Sequence, residues 1–209
     1  MPVVAFAANG RRFVAAIGPF VVGWKVKDRR AGTGEILKGH GGPVKALAWA
    51  PGSKRVTSGG DSKNIVVWGF GWFGASQKLK FRSHVDMVNG LSFSPDGSRL
   101  AAAGAKSIVV WDARDPRRDT SITLDGHTET VRHVQYLPDS TLISIDQVGH
   151  VVLWDVPACL SLTEFQLSDR MPTAVAVSAD GKRIATGSPE GRVAIFETAR
   201  VASAVTVGV

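Results

Sequence analysis

Apolar and polar positions alternate along this chain in short runs, and the runs recur. VKALAWA (residues 44–50), NGLSFS (89–94), RHVQY (132–136) and AVAVS (174–178) are rich in β-branched and aromatic residues. That composition with a period of two predicts strands with one buried face. A turn cluster follows each run: PGSK (51–54), SPDG (94–97), LPDS (137–140) and SADG (178–181). Gly, Asn, Asp and Pro there supply the left-handed backbone or the local hydrogen bond that a tight reversal needs. A second strand comes next, as in SRLAAAG and KRIATGS, and a third ends on an aromatic residue, as in SIVVWD and HVVLWD. A looser fourth is read in EILK, LKF and SITL, and in the terminal VASAVTVGV. No stretch of about ten residues carries a helical period, so the chain is expected to be all-β.

These strand groups are copies of one unit. Residues 44–68, 88–112, 131–155 and 173–197 echo one another, and a weaker copy occupies 3–26. The closing aromatics Trp24, Trp68, Trp111, Trp154 and Phe196 stand 44, 43, 43 and 42 residues apart. That period suits a four-stranded blade and is longer than the common helical repeats. The expected organisation is a single domain, 1–209, with blades at about 3–38, 44–81, 87–124, 130–166 and 172–207.

Gly39-His40, Gly126-His127, Trp111-Asp112 and Trp154-Asp155 resemble the dipeptides of the WD-repeat family, at the family's distance within a repeat. The resemblance covers about residues 3–207 and implies a β-propeller. It further implies a buried hydrogen-bonded set of His, Ser/Thr, Asp and Trp, which rigidifies a blade only if every member is satisfied. His40, Ser58 and Trp68 match it in the second repeat, with Asp61, one residue early, as the fourth member. His127, Ser144 and Trp154 match in the fourth repeat, where Val148 stands at the usual Asp position and Asp146 is offset. The third repeat keeps His84 and Trp111 but has Ala101 in place of the hydroxyl. The fifth has Thr186, Glu190 and Phe196 without a His, and the first has only Trp24. These histidines therefore read as structural.

Propellers of this family usually close with seven blades, sometimes six or eight. Five units leave three arrangements open: a fragment of a longer protein, a small five-bladed ring, or a ring completed by another chain. No leftover strand is evident to latch the ring, and an open arc would expose strand edges and apolar blade faces; the fragment or the incomplete ring is favoured.

Composition narrows the chemistry. One cysteine, Cys159, allows no internal disulfide and suits a reducing compartment. The first residues lack the charged-then-apolar order of a signal peptide, and no apolar run is long enough to span a bilayer. A cytoplasmic or nuclear protein without membrane insertion is expected. Gly69-Phe70-Gly71-Trp72-Phe73-Gly74 matches G-x-G-x-x-G, but a strand-like segment follows it where dinucleotide binding needs a helix. A turn carrying three aromatics is the better reading. Phe70, Trp72 and Phe73 either anchor a partner or pack on their own blade. No metal site is evident: His133 and His150 look isolated, and Cys159 has no ligand at metal spacing. No cofactor and no catalytic residues are expected.

The net charge of +7 and isoelectric point near 9.9 admit an acidic partner or RNA. On the face that the resemblance assigns to the first and third turns of each blade lie Arg29, Arg30, Arg114, Arg117 and Arg118, suited to bidentate phosphate or carboxylate contact. Nearby aspartates partly offset them, and a solvated mixed-charge rim is the simpler reading. On the opposite face Asp86, Glu129, Arg132, Asp146 and Glu190 are candidate partner contacts. The resemblance and the lack of a catalytic constellation point to a non-enzymatic protein-interaction scaffold within a multiprotein complex. The alternative is RNA or acidic-partner binding through the Arg-rich face, for example in RNA processing or a ribonucleoprotein complex. Ring completion by missing blades or a second chain is a further possible partnership.

Overall fold

A computed structural model describes residues 3–27, 30–71, 74–81, 87–115, 121–167, 172–178 and 180–198. They form twenty strands in five antiparallel sheets. The first sheet contains β1 (Val3–Phe6), β2 (Arg12–Ile17), β3 (Phe20–Lys27), the two-residue β4 (Arg30–Ala31) and β5 (Glu35–Lys38), with both β4 and β5 paired to β3. The second runs β6 (Val44–Trp49), β7 (Arg55–Gly60), β8 (Ile65–Gly71), β9 (Gly74–Phe81). The third runs β10 (Gly90–Phe93), β11 (Arg99–Gly104), β12 (Ser107–Asp112), β13 (Ser121–Asp125). The fourth runs β14 (Val131–Tyr136), β15 (Leu142–Asp146), β16 (His150–Asp155), β17 (Leu160–Gln166). The fifth has β18 (Ala174–Val177), β19 (Arg183–Gly187) and β20 (Val193–Glu197). The chain is all-β, in blades of the expected plan. The terminal segment read as the last fourth strand lies outside the described residues.

One turn chemistry starts every sheet. Gly10, Ser53, Gly97, Ser140 and Gly181 each have a positive φ between 59° and 71°. Each donates its backbone N–H to the carbonyl three residues earlier, on Ala7, Ala50, Ser94, Leu137 and Ser178. The Ser-x-Asp-Gly copies add a side-chain brace. Ser94 Oγ donates to Asp96 Oδ1 and accepts from the Arg99 amide, and Ser178 repeats this with Asp180 and Arg183.

Alternation gives every sheet two apolar faces, and neighbouring sheets bury them against each other. Val14, Ala16 and Val21 of the first sheet meet Val56, Val66 and Trp68 of the second. Ala46, Ile65 and Val67 meet Leu91, Leu100 and Trp111. Ala101, Ile108 and Val110 meet Val134, Leu142 and Trp154. Ile143, Ile145 and Val151 meet Ile184, Val175 and Phe196. The closing aromatics Trp68, Trp111, Trp154 and Phe196 thus each fill the seam with the preceding sheet. Among the described residues no apolar cluster joins the fifth sheet to the first, and no helix is long and apolar enough to cross a membrane.

Candidate interaction surface and buried polar networks

Two blades carry a buried polar network built from one register. Ser144 on β15 faces Val152 on β16, which places its hydroxyl beneath the indole of Trp154. Trp154 Nε1 donates to Ser144 Oγ at 2.8 Å, and His127 Nε2 lies 2.7 Å from the same oxygen. His127 Nδ1 is 3.2 Å from Asp146 Oδ2. Four polar groups are satisfied at once, with His127 as the Nδ1–H tautomer that donates to the carboxylate and accepts from the serine. Burial outweighs the carboxylate and holds His127 below the usual histidine range. The second blade repeats the core of this network. Trp68 Nε1 donates to Ser58 Oγ at 2.7 Å, and His40 Nε2 lies 2.6 Å away.

The fourth members differ from expectation in both blades. Asp61 does not join His40. Its carboxylate pairs with Lys45 at 2.6 Å, and Ser62 Oγ faces His40 Nδ1 at 3.0 Å. Asp146, expected as a loop contact on the surface, is fully buried and completes the His127 network. Its Oδ1 accepts the amides of both Val148 and His150. This cap lets a carboxylate two residues before the usual position reach the histidine. His150 is likewise not isolated: its Nδ1 is 4.0 Å from Asp146 Oδ2 and its Nε2 is 3.5 Å from Glu164. His127, Asp146 and His150 present three ligand atoms within 4.8 Å of one another. No spacing rule would have found this, since His127 approaches from a loop 23 positions away from His150.

Phe70, read as a possible exposed anchor, packs inward instead. It lies 5.2 Å from the Trp49 ring, under the Arg12 guanidinium at 5.1 Å, and joins the apolar seam between the first two sheets. The glycine-rich segment that contains it joins antiparallel β8 to β9, with Gly71 opposite Gly74. The strand–helix junction that a dinucleotide needs is absent there. Trp72 and Phe73 lie outside the described residues, as do His84, Asp86, Arg29, Arg117, Arg118 and the side chain of Arg30. Arg114 is engaged inside its own turn, donating from Nε and Nη2 to both oxygens of Asp112 at 3.0 and 2.7 Å. On the opposite face Gln147 gathers two expected contacts, donating to Glu129 at 2.7 Å and meeting Arg132 at 3.4 Å. Glu190 is exposed in the β19–β20 turn, 4.0 Å from Arg192.

Among the described residues, the outer faces of the first and last sheets are apolar and uncovered. By register, Val4, Phe6, Phe13, Trp24 and Ile36 share the face of the first sheet that points away from the second. Phe13 stacks on Trp24 at 4.8 Å and meets Phe6 at 5.2 Å, yet Phe6 is 63% and Ile36 59% exposed. On the fifth sheet Ala174, Ala176, Val193 and Ile195 point away from the fourth. Val193 is 67% and Ile195 59% exposed.

Repeated four-stranded sheets, stacked in chain order through aromatic-filled seams, define a protein of propeller-blade type. The sequence model of the WD domain, G-beta repeat, matches residues 33–69 and 75–112. These two matched repeats, together with five antiparallel sheets in chain order, support a WD-repeat family for the chain. Repeats of this family generally mediate contacts between proteins, and proteins built from them are typically non-enzymatic. A search of curated proteins gave no significant match.

Proposed function

We propose that the chain is a non-enzymatic protein-interaction scaffold whose principal contact surfaces are its two uncovered blade faces, each receiving a blade of the same type from a second copy. The equivalence of the faces carries this reading. Val4, Phe6, Phe13 and Trp24 occupy the repeat positions of Leu91, Phe93, Leu100 and Trp111, which the third sheet buries against the second. Ala174, Ala176, Val193 and Ile195 occupy the positions of Ala46, Ala48, Ile65 and Val67, the surface that those four residues cover. One free face is bulky and aromatic, and the other is the small-residue shelf that such a face fits within this fold. Burying each large exposed side chain gains about 1.5–3 kcal/mol, so a blade of this type is a favourable occupant.

Light scattering on the full chain tests this. The wild type is expected to associate above its 22.2 kDa monomer mass. Phe6→Asp and Ile195→Asp each block one face and are expected to be monomeric alone. Mixed, they retain one intact face of each kind and should form 1:1 dimers. A wild-type chain that stays monomeric at high concentration overturns the second-copy reading, as does a mixture that fails to pair. An intracellular setting, cytosolic or nuclear, belongs to the same proposal, and imaging of the tagged chain tests it. No observation favours the RNA or acidic-partner alternative, since the described Arg114 is already held by Asp112.

A further inference from the structure

We propose that His127, Asp146 and His150 form a binding site for a divalent transition-metal ion of the zinc class, placed on the polar network of the fourth blade. Two imidazole nitrogens and a carboxylate oxygen are the donor set that suits zinc. The three atoms converge already. His127 Nδ1 and Asp146 Oδ2 stand 3.2 Å apart, near the roughly 3.4 Å that separates neighbouring ligands in a tetrahedral site with bonds of about 2.1 Å. His150 Nδ1 is 4.0 Å from the same oxygen. Its side chain is 26% exposed, so it has room to swing inward by the remaining distance.

The surroundings orient the ligands. A metal-bound imidazole normally gives its second nitrogen to a carboxylate or another acceptor. His150 Nε2 faces Glu164 at 3.5 Å. His127 Nε2 faces Ser144 Oγ at 2.7 Å. Binding displaces the proton on His127 Nδ1, so the ring becomes the Nε2–H tautomer. Ser144 Oγ then accepts from both His127 and Trp154, and its hydroxyl turns to the Val152 carbonyl at 3.4 Å. No buried donor or acceptor of the network is stranded. The second blade supplies the internal control: His40 has Ser62 at its Nδ1, and no second histidine joins it there among the described residues.

The test uses the full chain with Cys159→Ser, which removes the exposed thiol as a competing ligand. Calorimetric titration with zinc chloride near pH 7.5 is expected to show one site per chain, weakening as protons compete at lower pH. His150→Gln leaves the Ser144–His127–Asp146–Trp154 contacts intact and should weaken binding by about tenfold or more. His40→Gln should leave it unchanged. Cobalt(II) offers a second readout, since it should give visible ligand-field absorption in the parent chain and lose it in His150→Gln. No binding by the parent, or equal zinc affinity and equal cobalt spectra in parent and His150→Gln, overturns the proposal.

Discussion

Ser140 occupies the left-handed turn position that glycine holds in three of the other four repeats, with φ 69°. A non-glycine residue there costs on the order of 1 kcal/mol or more. Its side chain is exposed and its amide already bonds to Leu137. Ser140→Gly is therefore expected to stabilise the chain by about 0.5–1 kcal/mol, read as a rise in denaturation midpoint. Histidine burial makes the fold sensitive to acid, in a window above that of the carboxylates. Desolvation holds both His127 and His133 below the ordinary histidine range. The unfolded chain takes up protons below about pH 6.5 while these folded side chains stay neutral, so stability is full above that pH and falls as pH drops through it. Thermal melts from pH 8 to 5 should decline with each step below about 6.5. A Tm flat across that window refutes the assignment. Ser58 and Ser144 were legible from the sequence because each stands ten residues before its tryptophan. Asp146 was not, because the same counting points to Val148. The carboxylate reaches His127 only through its cap on the Val148 and His150 amides.

At the level of strands and turns, sheets are joined by a recurring hook. The amides of Val44, Val88 and Val131, which open or precede the first strand of a sheet, donate to Gly18, Gly60 and Ala105 of the sheet before. Gly60 serves twice, because its backbone also lies close against β6 and the loop before it. A Cβ at Gly60 would sit 2.0 Å from the Pro43 carbonyl oxygen and 2.8 Å from Val44 Cα, both backbone atoms. Gly60→Ala is expected to destabilise the chain by about 1–3 kcal/mol, measured by urea denaturation, through a clash inside the second sheet where β7 meets the start of β6. The strand pattern and the turns were readable because period-two alternation and the Asp-Gly reversals are local signals. The hooks were not, since each joins a loop to a residue about 26–28 positions away and uses only backbone atoms. Phe70 was ambiguous for a related reason: whether an aromatic beside a glycine-rich turn faces solvent or the neighbouring sheet depends on how two sheets dock.

For the molecule as a whole, the count of blades and their order followed from the spacing of Trp24, Trp68, Trp111, Trp154 and Phe196, because one repeat builds one sheet. Whether the first and last sheets meet could not be read that way. It depends on the angle between successive sheets, which side-chain volumes at each seam decide and no periodicity encodes. The two terminal faces are unlike, one crowded with rings and the other built of two alanines and the β-branched Val193 and Ile195. Like faces therefore do not complement each other, and any assembly through them has polarity, like a sentence that can be extended only from its end to the next beginning. Such head-to-tail contacts either close into a circle of fixed membership or run on as a fibre whose length follows protein concentration. A circle made of this chain alone contains blades in multiples of five.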